Sequence, residues 1–172
     1  NDKDCEKEFD TSNNRFDPSN PDNIAYYLNN DFYNSLSQKE LISEHSWDRV
    51  SVNASRNDAT DYGNVTCKVG LLSYREYEKY SKYYGGNILP KEYGYGWWTR
   101  TTHTEYNKSA WCVAINGVLT ERMVTIPKGV RPALYLKSNV LIDENKVVVG
   151  RINKPDTPAD FSASSQSPNA VT

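Results

Sequence analysis

The stretch that most constrains the fold runs over residues 96–136, GWWTRTTHTEYNKSAWCVAINGVLTERMVTIPKGVRPALYL. Trp111, Val113 and Ile115 alternate with Cys112 and Ala114, the period-2 pattern of a half-buried strand. Asn116-Gly117 follows at once and predicts a two-residue type I′ turn, in which both central residues take φ > 0. The return strand then covers residues 118–126. Residues 130–136 read as a further strand that closes the core, with Pro132 near its start or on an edge, where a missing N–H is tolerated.

Upstream, Ile24, Tyr27, Leu28, Phe32 and Leu36 recur at helical spacing, with Asp22 or Ser19 as the cap. Ser37 and Glu40 form a capping box that predicts a second short helix through Ile42. Residues 47–52 alternate as a strand, residues 53–64 read as a polar excursion loop, and residues 65–72 return to strand character. Ser73 and Glu76 make another capping box and open a helix with Tyr77, Tyr80 and Tyr84 on one side, stopped by Gly85-Gly86. Residues 87–96 form a loop rich in Gly, Tyr and Pro. After residue 136, Val140 to Ile142 and Val147 to Val149 pair across a polar turn.

The motifs WWTR (97–100), the Trp-Cys-Val strand and hairpin (111–119) and GVRPALYL (129–136) occur in that order, preceded by NIAYYLNNDFYNSL (23–36) and VGLLSYREYEKY (69–80). Together they resemble a family of uncharacterised bacterial surface domains. That family is similar to the C-type-lectin-like fold shared by formylglycine-generating enzymes and the variable proteins of diversity-generating retroelements. The resemblance implies an α+β domain over residues 1–150, with a twisted antiparallel sheet, two main helices and long loops. Beyond residue 150 the composition changes. KPDTPADFSASSQSPNAVT resembles a linker running into the first strand of a fibronectin type III domain, so residues 151–172 are read as linker and truncated start of such a domain. The first residues, NDKDCEKEFD, read as the middle of a longer exported chain.

A mean hydropathy of −0.77 and no apolar run near the roughly 18 residues of a spanning helix argue against membrane insertion. Net charge is −2 with both signs interspersed, without the basic stripe that phosphate backbones need. Thirteen tyrosines stand beside many Asn and Ser, which fits either an adaptable recognition surface or a β-rich domain using Tyr at half-buried positions.

Asp10, Asn13, Asp17 and Asp22 lack the regular ladder of a calcium loop, so turn chemistry explains them better. Cys5, Cys67 and Cys112 contain no CxxC arrangement that would suggest zinc or redox chemistry. Cys5 with Cys67 is the favoured pair if the chain is exported, and Cys112 reads as a buried free thiol. His45 and His103 are the two histidines, and no nucleophile elbow accompanies them. His103 is expected on an exposed loop. Arg100 and Arg131 are read as structural guanidinium groups that satisfy carbonyls or a carboxylate between strands. Three sequons, at Asn53, Asn64 and Asn107, are discounted in so Asn-rich a chain.

By resemblance to the retroelement variable proteins, recognition falls on loops near residues 93–110. The candidate ligand-binding residues are Tyr93, Tyr95, Thr101, Thr102, His103, Glu105, Tyr106 and Asn107, which combine aromatic area with short polar side chains on both sides of the WWTR strand. Glu-Pro-Asn, Gln-Pro-Asp and Trp-Asn-Asp, the tripeptides of calcium-dependent lectins, do not occur. The expectation is a non-catalytic, calcium-independent ligand-binding or adhesion module on a bacterial cell surface. It would use no cofactor and no metal, and meet a protein or glycan on a host or neighbouring cell. Rival expectations are a structural stalk or pilus-associated module and an unrecognised enzyme.

Overall fold

The structure, a computed structural model, describes residues 6–11, 15–81, 96–143 and 148–151. The chain divides into two units, residues 1–136 and 137–172. The first is an α+β unit organised around β6 (Trp97–His103).

Strand β6 is buried along its whole length because it has neighbours on both edges and covered faces above and below. One edge pairs antiparallel with β7 (Ser109–Val113), which pairs in turn with β8 (Leu119–Met123). The other edge is shared. At one end Trp97 pairs parallel with Gly129 of β9 (Lys128–Gly129), and β1 (Glu6–Lys7) adds to the far side of β9. At the other end Thr102 and His103 pair parallel with Ser51 and Val52 of β3 (His45–Val52), whose outer neighbour is β4 (Ala59–Cys67). Between these two partners the edge of β6 meets the chain just beyond β5 (Val69–Leu71), where the Arg100 amide donates to the Leu72 carbonyl at 3.0 Å.

The sheet separates two apolar clusters. Trp98, Ala110 and Cys112 pack with Trp47, Phe9, Phe16, Ile24 and Leu28. Trp97, Trp111 and Val113 pack with Leu119, Tyr74 and Tyr77 of α3 (Tyr74–Ser81). The half-buried pattern expected of residues 111–115 is therefore corrected: β7 buries both faces, and its alternation sorts residues between two cores. Gly96 enters β6 against the β7 backbone, where a Cβ would lie 2.0 Å from the Val113 carbonyl oxygen.

Helix 24–36 is present in a broken form. Helical turns α1 (Ile24–Tyr27) and α2 (Tyr33–Ser35) flank a π-helical segment, Leu28–Phe32. Its cap is Asn23 rather than Asp22 or Ser19, with Oδ1 accepting from the Ala25 amide at 2.9 Å. Asn29 ties the helix to β5: its Oδ1 accepts from the Lys68 and Val69 amides and its Nδ2 donates to the Val69 carbonyl. The capping box at Ser73 forms as read, the hydroxyl accepting from the Glu76 amide (3.1 Å) and the Glu76 carboxylate accepting from the Ser73 amide (2.7 Å). The one expected at Ser37 does not start an α-helix; a 3-10 turn, Lys39–Leu41, stands there without a side-chain cap, followed by β2 (Ile42–Ser43).

Other expectations need correction. The excursion loop shrinks to residues 53–58, because polar residues from Ala59 onward form the exposed edge strand β4. The 116–117 turn is not type I′, since Gly117 (φ +81°) takes positive φ and Asn116 does not. The Gly117 amide donates to the Ala114 carbonyl and the Ala114 amide to the Val118 carbonyl, both at 2.8 Å, which makes a three-residue loop closed by a glycine bulge. The strand after Pro132 exists as β10 (Pro132–Leu136), which pairs with β2 and β5. Leu134 nevertheless stays 39% exposed, so this strand does not close the inner core there.

In the second unit, β11 (Val140–Ile142) and β12 (Val148–Arg151) form an antiparallel hairpin with a register shift at Leu141/Ile142. The linker reading of residues 151–172 falls, beyond Arg151, outside the described residues.

Candidate functional site

Strands β3 and β6 run parallel and end together, with Val52 opposite His103. The chain after each therefore emerges at the same end of the sheet, and the start of β7 and the end of β8 lie there too, with Ser109 opposite Met123. The Thr104 amide donates to the Val52 carbonyl (3.4 Å) and the Val124 amide to the Lys108 carbonyl (2.9 Å), so the 53–58 loop, the 104–108 turn and the end of β8 form one rim.

This rim sorts the predicted ligand residues into two groups. Glu105, Tyr106 and Asn107 are exposed on the turn, Tyr106 by 55%. Thr101, Thr102 and His103 are not loop residues: they form the buried end of β6, at 3%, 3% and 1% exposure. The Thr101 hydroxyl accepts from the Tyr74 amide at the start of α3 (3.0 Å), and the Thr102 hydroxyl bonds to that of Ser51 across the parallel pair. Polar side chains are stable here because each finds a fixed partner. Tyr93 and Tyr95 lie outside the described residues. Gly96, next to Tyr95 in sequence, is separated from Thr104 by the length of β6, roughly 25 Å at strand rise.

His103 ties the exposed group to the buried one. Its Nδ1 accepts from the amides of Glu105 (3.1 Å) and Tyr106 (3.2 Å), which fixes the first bend of the turn. Its Nε2 lies 2.8 Å from Oε2 of Glu121 on β8, at an angle short of a linear hydrogen bond. The ring packs between Tyr106, centroids 4.7 Å apart, and Trp111 at 6.0 Å. Because Nδ1 accepts, the proton of the neutral ring belongs on Nε2, on the side of the ring where Glu121 lies.

The neighbouring 53–58 loop is held by Asn53, whose Oδ1 accepts from the amides of Asn57 and Asp58. Arg56 adopts φ +61° there, and its guanidinium lies over the Tyr74 and Trp111 rings, donates to the Leu119 carbonyl (3.1 Å) and pairs with Glu78 (3.4 Å). Sequence reasoning missed both Arg56 and Glu121. Arg56 left no local signal. Glu121 did: it sits two residues from buried Leu119 on an alternating strand, an inward position for a carboxylate.

Arg100 holds the wedge where β3 and β6 diverge. It is 4% exposed and donates to the carbonyls of Asp48 (3.1 Å) and Leu71 (2.7 Å), to the Asp48 carboxylate (2.6 Å) and to the Glu76 carboxylate at 2.5 and 3.2 Å. Burial pushes the Glu76 carboxyl up, but the Arg100 hydrogen bonds and charge outweigh it, leaving Glu76 below its ordinary value. Arg131 lies over the Trp97 ring. Arg100 thus has the structural setting expected of it, whereas this contact of Arg131 is with an aromatic face rather than a carbonyl or carboxylate.

Among the described residues no group of three or more His, Cys, Asp and Glu side chains is placed to hold a metal ion. Asp17 and Asp10 take part in turn and cap bonds instead, Asp17 Oδ1 accepting from Ser19 and Asp10 Oδ2 from Asn20 and Asn23. Burial pushes the Cys67 thiol up to about 11 and raises that of Cys112. The Cys67 thiol donates to the Val69 carbonyl (3.5 Å), and its expected partner Cys5 lies outside the described residues. Among the described residues no helix is long and apolar enough to cross a membrane.

The family described as Domain of unknown function (DUF6273) matches residues 2–138, which spans the first unit. No curated protein and no solved structure matches the chain.

Proposed function

The chain belongs to the DUF6273 family, a family of domains of unknown function, and we propose that it is a non-catalytic recognition module whose ligand face is the rim around Tyr106. The single observation that carries this is the contrast within seven consecutive residues. Thr101, Thr102 and His103 are locked into the sheet, while Glu105, Tyr106 and Asn107 project from its end on a turn bonded to His103. A rigid scaffold that presents an aromatic and short polar groups on a fixed turn is the arrangement binding loops use.

We further propose the C-type-lectin-like fold for the first unit. In support, helices cover a mostly antiparallel sheet, and the first strand β1 joins the late strand β9. The reading extends to a calcium-independent adhesion module on a bacterial cell surface, meeting a protein or glycan, ahead of a fibronectin type III-like domain. That extension rests on the motif resemblance and the composition of the tail. The non-catalytic reading has local support: His103 Nδ1 is taken up by two main-chain amides, and the raised thiols of Cys67 and Cys112 make poor nucleophiles.

The test is a glycan and protein array probed with the chain and with a Tyr106→Ala, Asn107→Ala double variant. The variant keeps its melting temperature and loses the signal at least about tenfold, as removal of a central aromatic contact does. Added EDTA leaves the signal unchanged. Undiminished binding by the folded variant would rule out this rim, and EDTA-sensitive binding would sink the calcium-independent reading.

A further inference from the structure

The rim contains a buried imidazole that joins two of its elements, the 104–108 turn and β8. We infer that His103 is the positioning residue of the Glu105–Asn107 turn and that it releases this turn when it takes up a second proton. The consequence for ligand binding rests on the recognition reading above; the release itself does not.

The argument is one of donors and acceptors. With a neutral ring, Nδ1 presents a lone pair to the amides of Glu105 and Tyr106, and Nε2 lies beside the Glu121 carboxylate at 2.8 Å without hydrogen-bonding geometry between them. Protonation puts a hydrogen on Nδ1, opposite two main-chain N–H groups. Donor then faces donor at 3.1 and 3.2 Å, and both bonds are lost at once. The ring cannot exchange its two nitrogens to escape, because it is fully buried between Trp111 and Tyr106. The Glu121 side keeps its attraction, so the ring stays and the turn leaves.

The charged and titratable groups around the ring come from each neighbour. β8 supplies Glu121, and the turn itself supplies Glu105 and Tyr106. The 53–58 loop supplies Arg56, lying over the Trp111 ring and paired with Glu78 of α3, which also brings Tyr74. From β3 comes Val52, and from β7 Trp111, neither of which carries charge.

The experiment uses the whole chain without ligand, labelled with ¹⁵N and ¹³C, titrated from about pH 8 downward through the imidazole range. Ring ¹⁵N shifts report the tautomer and protonation of His103, and amide exchange reports order at Glu105 and Tyr106. The expected result is an Nε2–H tautomer at pH 8. Protection at both amides should then fall about tenfold or more in step with His103 protonation, as the loss of two hydrogen bonds requires. Protection at Trp98 and Cys112 holds throughout. A proton on Nδ1 at pH 8, or protection at Glu105 and Tyr106 that persists through the His103 titration, overturns the inference. So does protection lost only together with the core. Glu121→Gln supplies a second readout: in this variant too the release must track protonation of the ring, and a release that fails to follow the ring overturns it. An array without any binder would remove the recognition reading and leave this measurement standing.

Discussion

Replacing Arg100 by Met tests how the sheet is held at its weakest seam. Between the β9 and β3 pairings, β6 has no strand partner on that edge among the described residues, and one guanidinium donates to the carbonyls of Asp48 and Leu71 there. Met keeps most of the aliphatic stem but offers no N–H, and it gives up the guanidinium that lies over the Trp47 ring. Two main-chain carbonyls, Asp48 and Leu71, then lose a charge-assisted bond, costing about 1 kcal/mol each. Asp48 and Glu76 lose their cation; their side chains are 42% and 29% exposed, so water compensates for much of it and roughly 0.5 kcal/mol each is a fair allowance. The sum is about 3 kcal/mol, the lower end of what removing one partner of a buried charge network costs. Urea denaturation should show the midpoint fall with an unchanged slope. The melting temperature should drop roughly 6–12 °C for a chain of this size. Arg100→Lys should recover about half, since one ammonium cannot reach both Asp48 and Glu76 with the fork geometry. The sign with pH also follows. Glu76 has a folded pKa below its unfolded one, so the pair stabilises above the ordinary carboxyl range and its contribution fades as pH falls through the folded value. That part of the acid sensitivity should vanish in Arg100→Met. A loss under about 1 kcal/mol, or a lysine variant equal to the parent, would refute the argument.

Trp111→Ala should cost about 3–5 kcal/mol in the same assay, because the indole is 4% exposed, packs on Tyr74 and His103, and donates to the Val52 carbonyl at 3.1 Å; a loss below about 1 kcal/mol would mean the α3 face is not packed as described. Gly96→Ala should destabilise by more than about 2 kcal/mol or prevent folding, since its Cβ meets main chain at 2.0 Å that no rotamer change can relieve; wild-type stability would show that β6 enters the sheet elsewhere. The thiols of Cys67 and Cys112, both buried and raised, should react with an aromatic disulfide reagent at pH 8 only at the rate of unfolding, read by absorbance with and without urea.

Where local chemistry decides, the fold was legible. The capping box at Ser73 and Glu76 forms both reciprocal bonds, and the strand pair around Asn116-Gly117 lies where its alternation and turn residues put it. The turn type was not legible, because the dipeptide suits either a type I′ turn or the end of a longer loop. What decides is the register: the ladder closes at Val113 with Leu119, leaving Val118 outside it and 56% exposed. The helix after Asn23 was legible in its periodicity but not in its π-turn, which long-range bonds accompany: Asn29 reaches across to Lys68 and Val69, forty residues away. A side chain that replaces a strand's hydrogen bonds leaves no periodic trace.

The site was half legible, and the reason lies in the same double burial. A run such as Thr99-Arg100-Thr101-Thr102-His103 carries the polarity of a loop, and a sheet with one wet face would put half of it in water. Here α3 lies on one face and the Asn23 helix on the other, so those polar groups must be buried, and burial is tolerable only because each meets a specific partner. Those partners, Trp111, Tyr74, Ser51 and Glu121, come from four different elements, and no local pattern announces them. The exposed half, Glu105 to Asn107, was readable because a turn leaves its residues to solvent whatever packs beneath. What composition could not convey is that the two halves are joined: His103, read as an exposed loop residue, is buried and accepts two main-chain hydrogen bonds from the residues beyond it.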